Sequence, residues 1–292
     1  MIMDYIKLVE EAIAIIEQNL TEELTNDFVS SELFVSNYHF QRVFSVMTGY
    51  TLGEYIRSRR MYLAGLELKN KDIKIIDIAV KYGYDSPDSF TKAFKAFHGF
   101  TPNKTKNNNL KEFNYLSLEG IKKGNYIMKY EVVTLPEMII TGISKKLLGT
   151  LTERYQQQHD FMVDGNTRFV RYALQGMAKD TETEYYVISD ITDDNYLFTI
   201  GSIIPEYFVN HLEKTVGNYK DLLSTITIKE NKYIHVVTGK AITYMDEHLI
   251  MYKQLIEEWL PNSGYQIKNA PEITVMHHNK EKSYIEMYIP IE

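Results

Sequence analysis

Residues 74–102, KIIDIAVKYGYDSPDSFTKAFKAFHGFTP, read as two short helices joined by a tight turn. Ile75, Ile76, Ile78 and Ala79 give the first helix one apolar face. Gly83 stands where the end of a helix needs a left-handed residue. Ser86 is suited to the N-cap, Pro87 to the first helical position, and Asp88 to the positive end of the helix dipole. Phe90, Ala93, Phe94 and Phe97 recur at helical spacing, so the second helix buries one stripe. Its other face offers Asp88, Ser89, Thr91, Lys92 and Lys95 before Gly99 stops it. A short helix held by its back, with small polar and basic groups in front, is what reading a major groove requires. An ordinary helical hairpin with a solvated face has the same pattern.

A second stretch, residues 30–56, is built alike. Ser36 takes the N-cap place, Phe40, Val43, Phe44 and Met47 form the buried stripe, and Gly49 closes the helix. Asn37, Tyr38, Gln41 and Arg42 project the other way. Ser36, Phe40 and Phe44 align with Ser86, Phe90 and Phe94 at one constant offset. Between the copies, residues 52–68 read as one long helix carrying Arg57, Arg59 and Arg60. Two helix-turn-helix units on a rigid connector can hold two recognition helices about one DNA turn, roughly 34 Å, apart. The duplication argues against the plain hairpin. Ahead of it, residues 4–20 form an amphipathic helix on Ile6, Val9, Ile13, Ile16 and Leu20, suited to core packing.

Residues 4–106 resemble the DNA-binding domain of AraC/XylS transcription regulators. The resemblance rests on Ser36–Phe44, Gly49, Tyr55–Arg59, Ile78-Ala79, Gly83-Tyr84, Phe90, Phe94-Lys95 and Gly99–Pro102. It implies a seven-helix domain that contacts two successive major grooves. It also implies that Tyr38, Gln41 and Arg42 face base edges, that Thr91 and Lys92 do so on the second helix, and that Lys95 lies nearer the phosphates. Asn37, Ser86, Asp88 and Ser89 complete the candidate DNA-binding set. Two departures stand out. Phe34 occupies the first turn, where many members have Gly or another small residue, so a differently shaped turn is expected. Pro87 and Asp88 stand where the nearest subgroup often has paired Gln, so the second helix is expected to read fewer bases or different ones.

The 292 residues suit two domains, and 44% hydrophobic with 24% charged residues suits a soluble globular chain. There is no Cys, which excludes disulfides, thiol catalysis and thiolate metal sites. No apolar run approaches ~20 residues and no signal peptide is visible, so a cytoplasmic protein without membrane spans is expected. The net charge of −7 is unevenly spread. Residues 1–35 hold one Lys against eight acids, whereas residues 36–110 hold 12 Lys and Arg against 6 acids. Residues 107–125 are polar and rich in Asn and Lys, and read as a linker between domains 1–106 and 126–292.

Beyond residue 126 the periodicity changes. Strands are expected over 127–133, 138–143, 185–191, 196–204, 233–241, 272–277 and 284–289, with helices over 151–177 and 247–260. The fold class is therefore multi-domain: an all-α domain with two helix-turn-helix motifs joined by a long helix, then an α+β domain of two strand-helix-strand-strand modules. The second half resembles the GyrI-like effector-binding domain through residues 259–265, 270–272 and 284–290, and the whole resembles the arrangement of Rob-like regulators. That resemblance implies a site for an amphipathic, often cationic, small molecule between the modules. The chemistry of residues 111–292 points the same way, since they are acidic and hold 16 of the 23 Tyr and the single Trp. Glu286 is the foremost ligand candidate, with Tyr284 and Tyr288 on the same strand face by the period of two. Trp259 and Glu272 follow, and Thr274 stands near where many members carry a second acid. Glu286 on a solvated face and Trp259 in the core are the plainer readings.

No cofactor, metal site or catalytic motif is expected. His277 and His278 are adjacent on a strand and should point to opposite faces, and His39 should pack. The expected partners are double-stranded DNA and a small effector. The alternatives are a ligand-sequestering protein or hydrolase using the C-terminal cleft, with Glu286 and a Tyr, and a protein docking RNA polymerase or gyrase.

Overall fold

The computed structural model describes residues 5–116, 129–237, 251–278 and 284–292. They fall into two compact units that divide between residues 121 and 122. The N-terminal unit holds α1 (Tyr5–Gln18), α2 (Asn26–Glu32), α3 (Asn37–Thr48), α4 (Leu52–Asn70), α5 (Ile75–Lys81) and α6 (Pro87–His98), followed by a 3-10 turn, Pro102–Asn107. Six α-helices and that turn thus stand where seven helices were expected. The duplicated stripes become two small cores. Val9, Ile13, Ile16, Phe40, Val43, Phe44 and Tyr55 are fully buried in the first. Met61, Ala64, Ile78, Ala79, Phe90 and Phe94 make the second. The long helix α4 serves both, giving Tyr55 to one and Met61 and Ala64 to the other. Gly49 and Gly99 close α3 and α6 in the left-handed conformation. Ile76 departs from the expected apolar face: Ile78 and Ala79 are buried, while Ile76 lies on the solvent side with Val80.

Arg59 and Arg60 of the connecting helix are held by bonds within the domain, and one expected boundary is corrected. Arg59 grips Glu17 with a fork, Nε to Oε1 at 2.7 Å and Nη2 to Oε2 at 2.6 Å, and donates from Nη1 to the Phe113 carbonyl at 2.5 Å. The Tyr55 hydroxyl donates to the same carboxylate at 2.9 Å. Arg60 donates to the carbonyls of Leu20 and Glu22 at 2.8 and 2.9 Å. Residues 107–116, expected as the start of a linker, pack back onto the helices. Phe113 meets the rings of Tyr50 and Tyr55 at 5.2 and 5.8 Å, and the Lys111 N–H donates to His98 Nδ1 at 3.1 Å. The rest of the expected linker, 117–125, lies outside the described residues.

The C-terminal unit is one antiparallel eight-stranded sheet. Its elements in order are β1 (Lys129–Leu135), β2 (Met138–Leu148), α7 (Leu151–Val163), α8 (Gly165–Met177), β3 (Thr183–Ser189), β4 (Asn195–Ser202), α9 (Glu206–Val216), β5 (Leu223–Ile228), β6 (Asn231–Val237), helical residues 251–263 as α10, β7 (Glu272–His277) and β8 (Tyr284–Pro290). The expected strands are present with ends shifted by a few residues. The expected helix over 151–177 is split, with the Asp164 side chain capping α8 at the Thr167 N–H. Helix α9 and strand β5 lie in a stretch for which no element was expected. The expected residues 127–128, 238–241 and 247–250 lie outside the described ones.

The strand order is β1-β6-β8-β7-β3-β4-β2-β5. β1 and β2 are joined only by Pro136 and Glu137, and β5 and β6 only by Lys229 and Glu230. Each link spans at most roughly 11 Å. In a flat sheet the strands they join would lie six spacings, roughly 29 Å, apart. The sheet must therefore roll until its edges meet. Val133 and Leu135 of β1, Met138 and Ile140 of β2, and Ile226 and Ile228 of β5 accordingly share one cluster with Tyr233 and Ile273 on the inner face. Lys229 Nζ and Glu137 Oε2, at 2.7 Å, tie the two links together. The outer face packs Ile143, Tyr186, Phe198, Ile200 and Ile285 under Val170 and Leu174 of α8 and Leu212 and Val216 of α9.

The Glu17–Arg59 pair sets the first prediction. Glu17→Ala leaves a buried guanidinium with its carboxylate gone, so the N-terminal domain should lose about 3–5 kcal/mol, read as a lower urea midpoint at unchanged slope.

Candidate DNA and effector sites

On α3, Asn37, Tyr38, Gln41 and Arg42 are half-buried, with Gln41 and Arg42 turned from the Phe40 and Phe44 stripe and the Tyr38 hydroxyl itself buried. Asn37 Nδ2 donates to Asp27 Oδ1 of α2, and Gln41 Nε2 donates to Asn37 Oδ1 at 2.6 Å. A carboxylate thus anchors a chain of amides and fixes the rotamers of two candidate DNA-binding residues, of which Gln41 is the candidate base reader. Ser36 occupies the N-cap position but makes no side-chain cap bond, contrary to its expected role. His39 is a core residue. It bonds the Tyr5 hydroxyl at 3.0 Å, and burial pushes its pKa down to about 4.

On α6 the capping chemistry is complete. Ser86 Oγ accepts from the Ser89 N–H at 3.1 Å, and Ser89 Oγ donates back to the Ser86 carbonyl at 2.8 Å. Both hydroxyls thus serve the helix end. Asp88, Lys92 and Lys95 are exposed, and Thr91 is half-buried.

In the C-terminal unit the candidate ligand residues divide between the two faces of the sheet. Tyr284, Glu286 and Tyr288 alternate with the buried Ile285 and Met287, and so share the inner face. Register brings His235 of β6 opposite Tyr288, and His277 of β7 opposite Tyr284. His235 stacks on Tyr288 at 4.5 Å and His277 on Tyr284 at 4.1 Å, both nearly parallel. Glu286 sits between the stacks. Each imidazole Nε2 lies 3.3 Å from one of its oxygens, and the Tyr288 hydroxyl donates at 2.6 Å. The His235 imidazole, with Tyr288 and His277, holds the Glu286 carboxyl below the usual range despite its partial burial.

Glu272 and Trp259 are not part of this cluster. The period of two puts Glu272 on the outer face, where it is buried and accepts from Tyr252 of α10 at 3.1 Å. Trp259 is half-buried on α10, stacked on Tyr265 at 5.9 Å. Sequence reasoning missed His235 and His277 as partners of Glu286. The signal for His277 was its place two residues from Val275, which pairs with Glu286.

A second acid is buried on the outer face. Glu184 of β3 is gripped by Arg171 of α8, Nε to Oε1 at 2.8 Å and Nη2 to Oε2 at 2.7 Å, and accepts from the Tyr186 hydroxyl at 2.5 Å. It lines a cleft of about 360 Å³ with Arg168, Arg171, Tyr172, Gln175 and His278. The adjacent histidines do face opposite ways, His277 to Glu286 and His278 to Glu184. Burial alone would push the Glu184 carboxyl up. His278, Arg171 and Tyr186 together bring it down to about 2. At 3.7 Å His278 is too far for a hydrogen bond, so the guanidinium fork carries most of this. Among the described residues, no group of three His, Asp or Glu is placed to hold a metal.

Glu184 titrates lower in the folded state than unfolded, so its contribution is full above pH ~4.3 and is lost as pH falls toward 2. Thermal melts between pH 5 and 2 should show a falling midpoint, and Glu184→Gln should be less stable at pH 7 but flatter over that range.

Comparison with known proteins agrees with this anatomy. Residues 29–108 match the helix-turn-helix domain family, and residues 131–291 match the integron-associated effector binding protein family. The HTH-type transcriptional activator AarP of Providencia stuartii is 43% identical over 95 residues, covering 32% of this chain and 70% of AarP. The regulatory protein SoxS of Escherichia coli is 36% identical over 100 residues, covering 34% of this chain and 94% of SoxS. The right origin-binding protein of Escherichia coli is 28% identical over 209 residues, covering 66% of this chain and 71% of that protein. No described helix is long and apolar enough to cross a membrane. The chain belongs to the integron-associated effector binding protein family through residues 131–291, and joins that domain to an AraC-type DNA-binding domain in the Rob-like arrangement.

Proposed function

We infer that this protein is a sequence-specific transcription regulator that reads DNA through α3 and α6 and responds to a small amphipathic, cationic effector held against Glu286. For DNA, the supporting observation is the repeated pair of buried stripes, which leaves Gln41 and Arg42 half-exposed on one helix and Lys92 and Lys95 exposed on the other, while the Tyr38 hydroxyl is turned into the protein. Asp88 sits at the start of α6 and repels phosphate, so α3 carries more of the base reading.

For the effector, Glu286 carries the reading. It is a partly buried carboxylate between two aromatic stacks, on an inner face whose floor is apolar. Such a setting suits a desolvated organic cation, with the charge on the carboxylate and the apolar part on the rings. Glu184 cannot serve in its place, because the Arg171 fork already takes both its oxygens. A second reading has one observation in its favour: an acid with a phenol and two imidazoles each within 3.3 Å of its oxygens also suits proton transfer, as in a hydrolase.

Fluorescence anisotropy tests the DNA half. A duplex selected in vitro should bind more tightly than a shuffled one, with a log-log salt slope of several charges. Arg42→Ala should lose about 1–3 kcal/mol on the selected duplex alone. Equal binding to both duplexes by both proteins would sink the reading. Calorimetry tests the effector half. A lipophilic quaternary ammonium ion should bind about tenfold more weakly to Glu286→Gln, and its neutral isostere should bind both proteins alike. Turnover of a hydrophobic ester by wild type, lost in Glu286→Gln, would instead establish the hydrolase.

A further inference from the structure

The turn between α2 and α3 combines strain with exposure. The Phe34 N–H donates to the Ser31 carbonyl at 3.1 Å, and the Val35 N–H to the Ser30 carbonyl at 3.2 Å. This pair of bonds closes a helix through one left-handed residue, a place that favours glycine. The second unit shows the rule. After α5, the Gly83 and Tyr84 N–H groups donate to Val80 and Ala79 at 3.0 and 2.9 Å, with Gly83 at φ +77°. In the first unit that residue is Phe34, at φ +56°. The differently shaped turn expected from the sequence is therefore absent, and the left-handed closure is kept with a benzyl side chain on it. An L residue with a Cβ is strained there.

Nothing within the domain offsets that strain, because Phe34 is 94% exposed. A strained, bulky apolar residue in solvent is a mark of function rather than of folding. Its place says which function. It lies two residues before Ser36-Asn37, where α3 begins, and a recognition helix meets the groove with its N-terminal end. The exposed Glu32 at the end of α2 disfavours a phosphate at this turn. An apolar ring suits the apolar features of a duplex, the thymine C5-methyl or the deoxyribose face.

We propose that Phe34 is a DNA-contact residue that packs on such an apolar feature at the edge of the α3 site. This rests on the DNA-binding reading above, and Arg42→Ala separates the two. The experiment pairs anisotropy on the selected and shuffled duplexes with thermal unfolding, for wild type, Phe34→Gly, Phe34→Asn, Phe34→Tyr and Arg42→Ala. Asn is included because it too tolerates the left-handed conformation. The expected result is that the Gly or Asn variant unfolds no earlier than wild type yet binds the selected duplex about tenfold more weakly, while Tyr keeps the affinity. A scan placing deoxyuridine for each thymidine locates the contact. One position that weakens wild type but not Phe34→Gly identifies a thymine methyl. Weakening of both duplexes with no sensitive position identifies the sugar. Full affinity in both the Gly and Asn variants, with Arg42→Ala impaired, overturns the proposal. Equal binding of both duplexes by wild type and Arg42→Ala overturns the DNA reading itself.

Discussion

Two links of two residues each set the form of the effector domain. Pro136-Glu137 and Lys229-Glu230 join strands that sit at opposite ends of the strand order, and so short a chain cannot cross an open sheet. Rolling the sheet gives it an inside and an outside with different chemistry. Inside, Ile140, Ile228, Tyr233 and Ile273 fill the space without helices in the cluster. Outside, α8 and α9 cover the surface. The alternation of β8 then assigns each side chain: Ile285 goes to the helix-covered core, and Glu286 goes inward beside two imidazoles. A shift of register by one residue would exchange these roles, so the same links that shape the sheet also position the acid.

Three acids with little exposure show how the identity of a partner decides what a carboxylate can do. Glu17 and Glu184 each face a guanidinium fork and a tyrosine hydroxyl. An arginine fork matches both oxygens at once, so these acids are satisfied and serve the fold. Glu286 faces two histidines at 3.3 Å and one tyrosine. Imidazoles carry charge only when protonated, so its negative charge is not permanently matched. That difference, rather than burial alone, separates the candidate ligand acid from the structural ones.

Much of the helical domain was legible, because each repeated unit signals itself locally: a serine, a phenylalanine stripe and a closing glycine within about twenty residues. What stayed hidden depended on contacts far apart in the chain. Arg59 and Arg60 showed in the sequence only as charges on the long helix, because their partners Glu17, Leu20 and Glu22 lie some forty positions away. Phe113 read as linker because its neighbours are polar, though its ring completes the core around Tyr50 and Tyr55. In the effector domain, β8 was legible by its alternation, and so were Tyr284, Glu286 and Tyr288 as one face. Glu272 and Trp259 were grouped with them only by composition. Parity along β7 places Glu272 on the other face, and α10 takes Trp259 to Tyr265. Strand β5 was missed because its Thr-Ile alternation is short, and α9 because it follows the strand end without a capping side chain.

The two helix-turn-helix units also show how duplication permits division of labour. In the second unit the sequence and the backbone agree at the turn and at the start of α6: Gly83 closes α5, Ser86 caps α6, and Ser89 returns a bond to it. In the first unit they disagree twice. Phe34 takes the glycine position, and Ser36 leaves its capping bond unmade. The amides beside it are held instead by Asp27 through Asn37 to Gln41. Natural chains tend to break local rules where function requires it. The local departures gather at the start of α3, whereas at the start of α6 the polar side chains Ser86 and Ser89 are occupied with the helix itself. On the DNA reading proposed above, the first unit is the one shaped by what it binds, and the second the one shaped by its own stability.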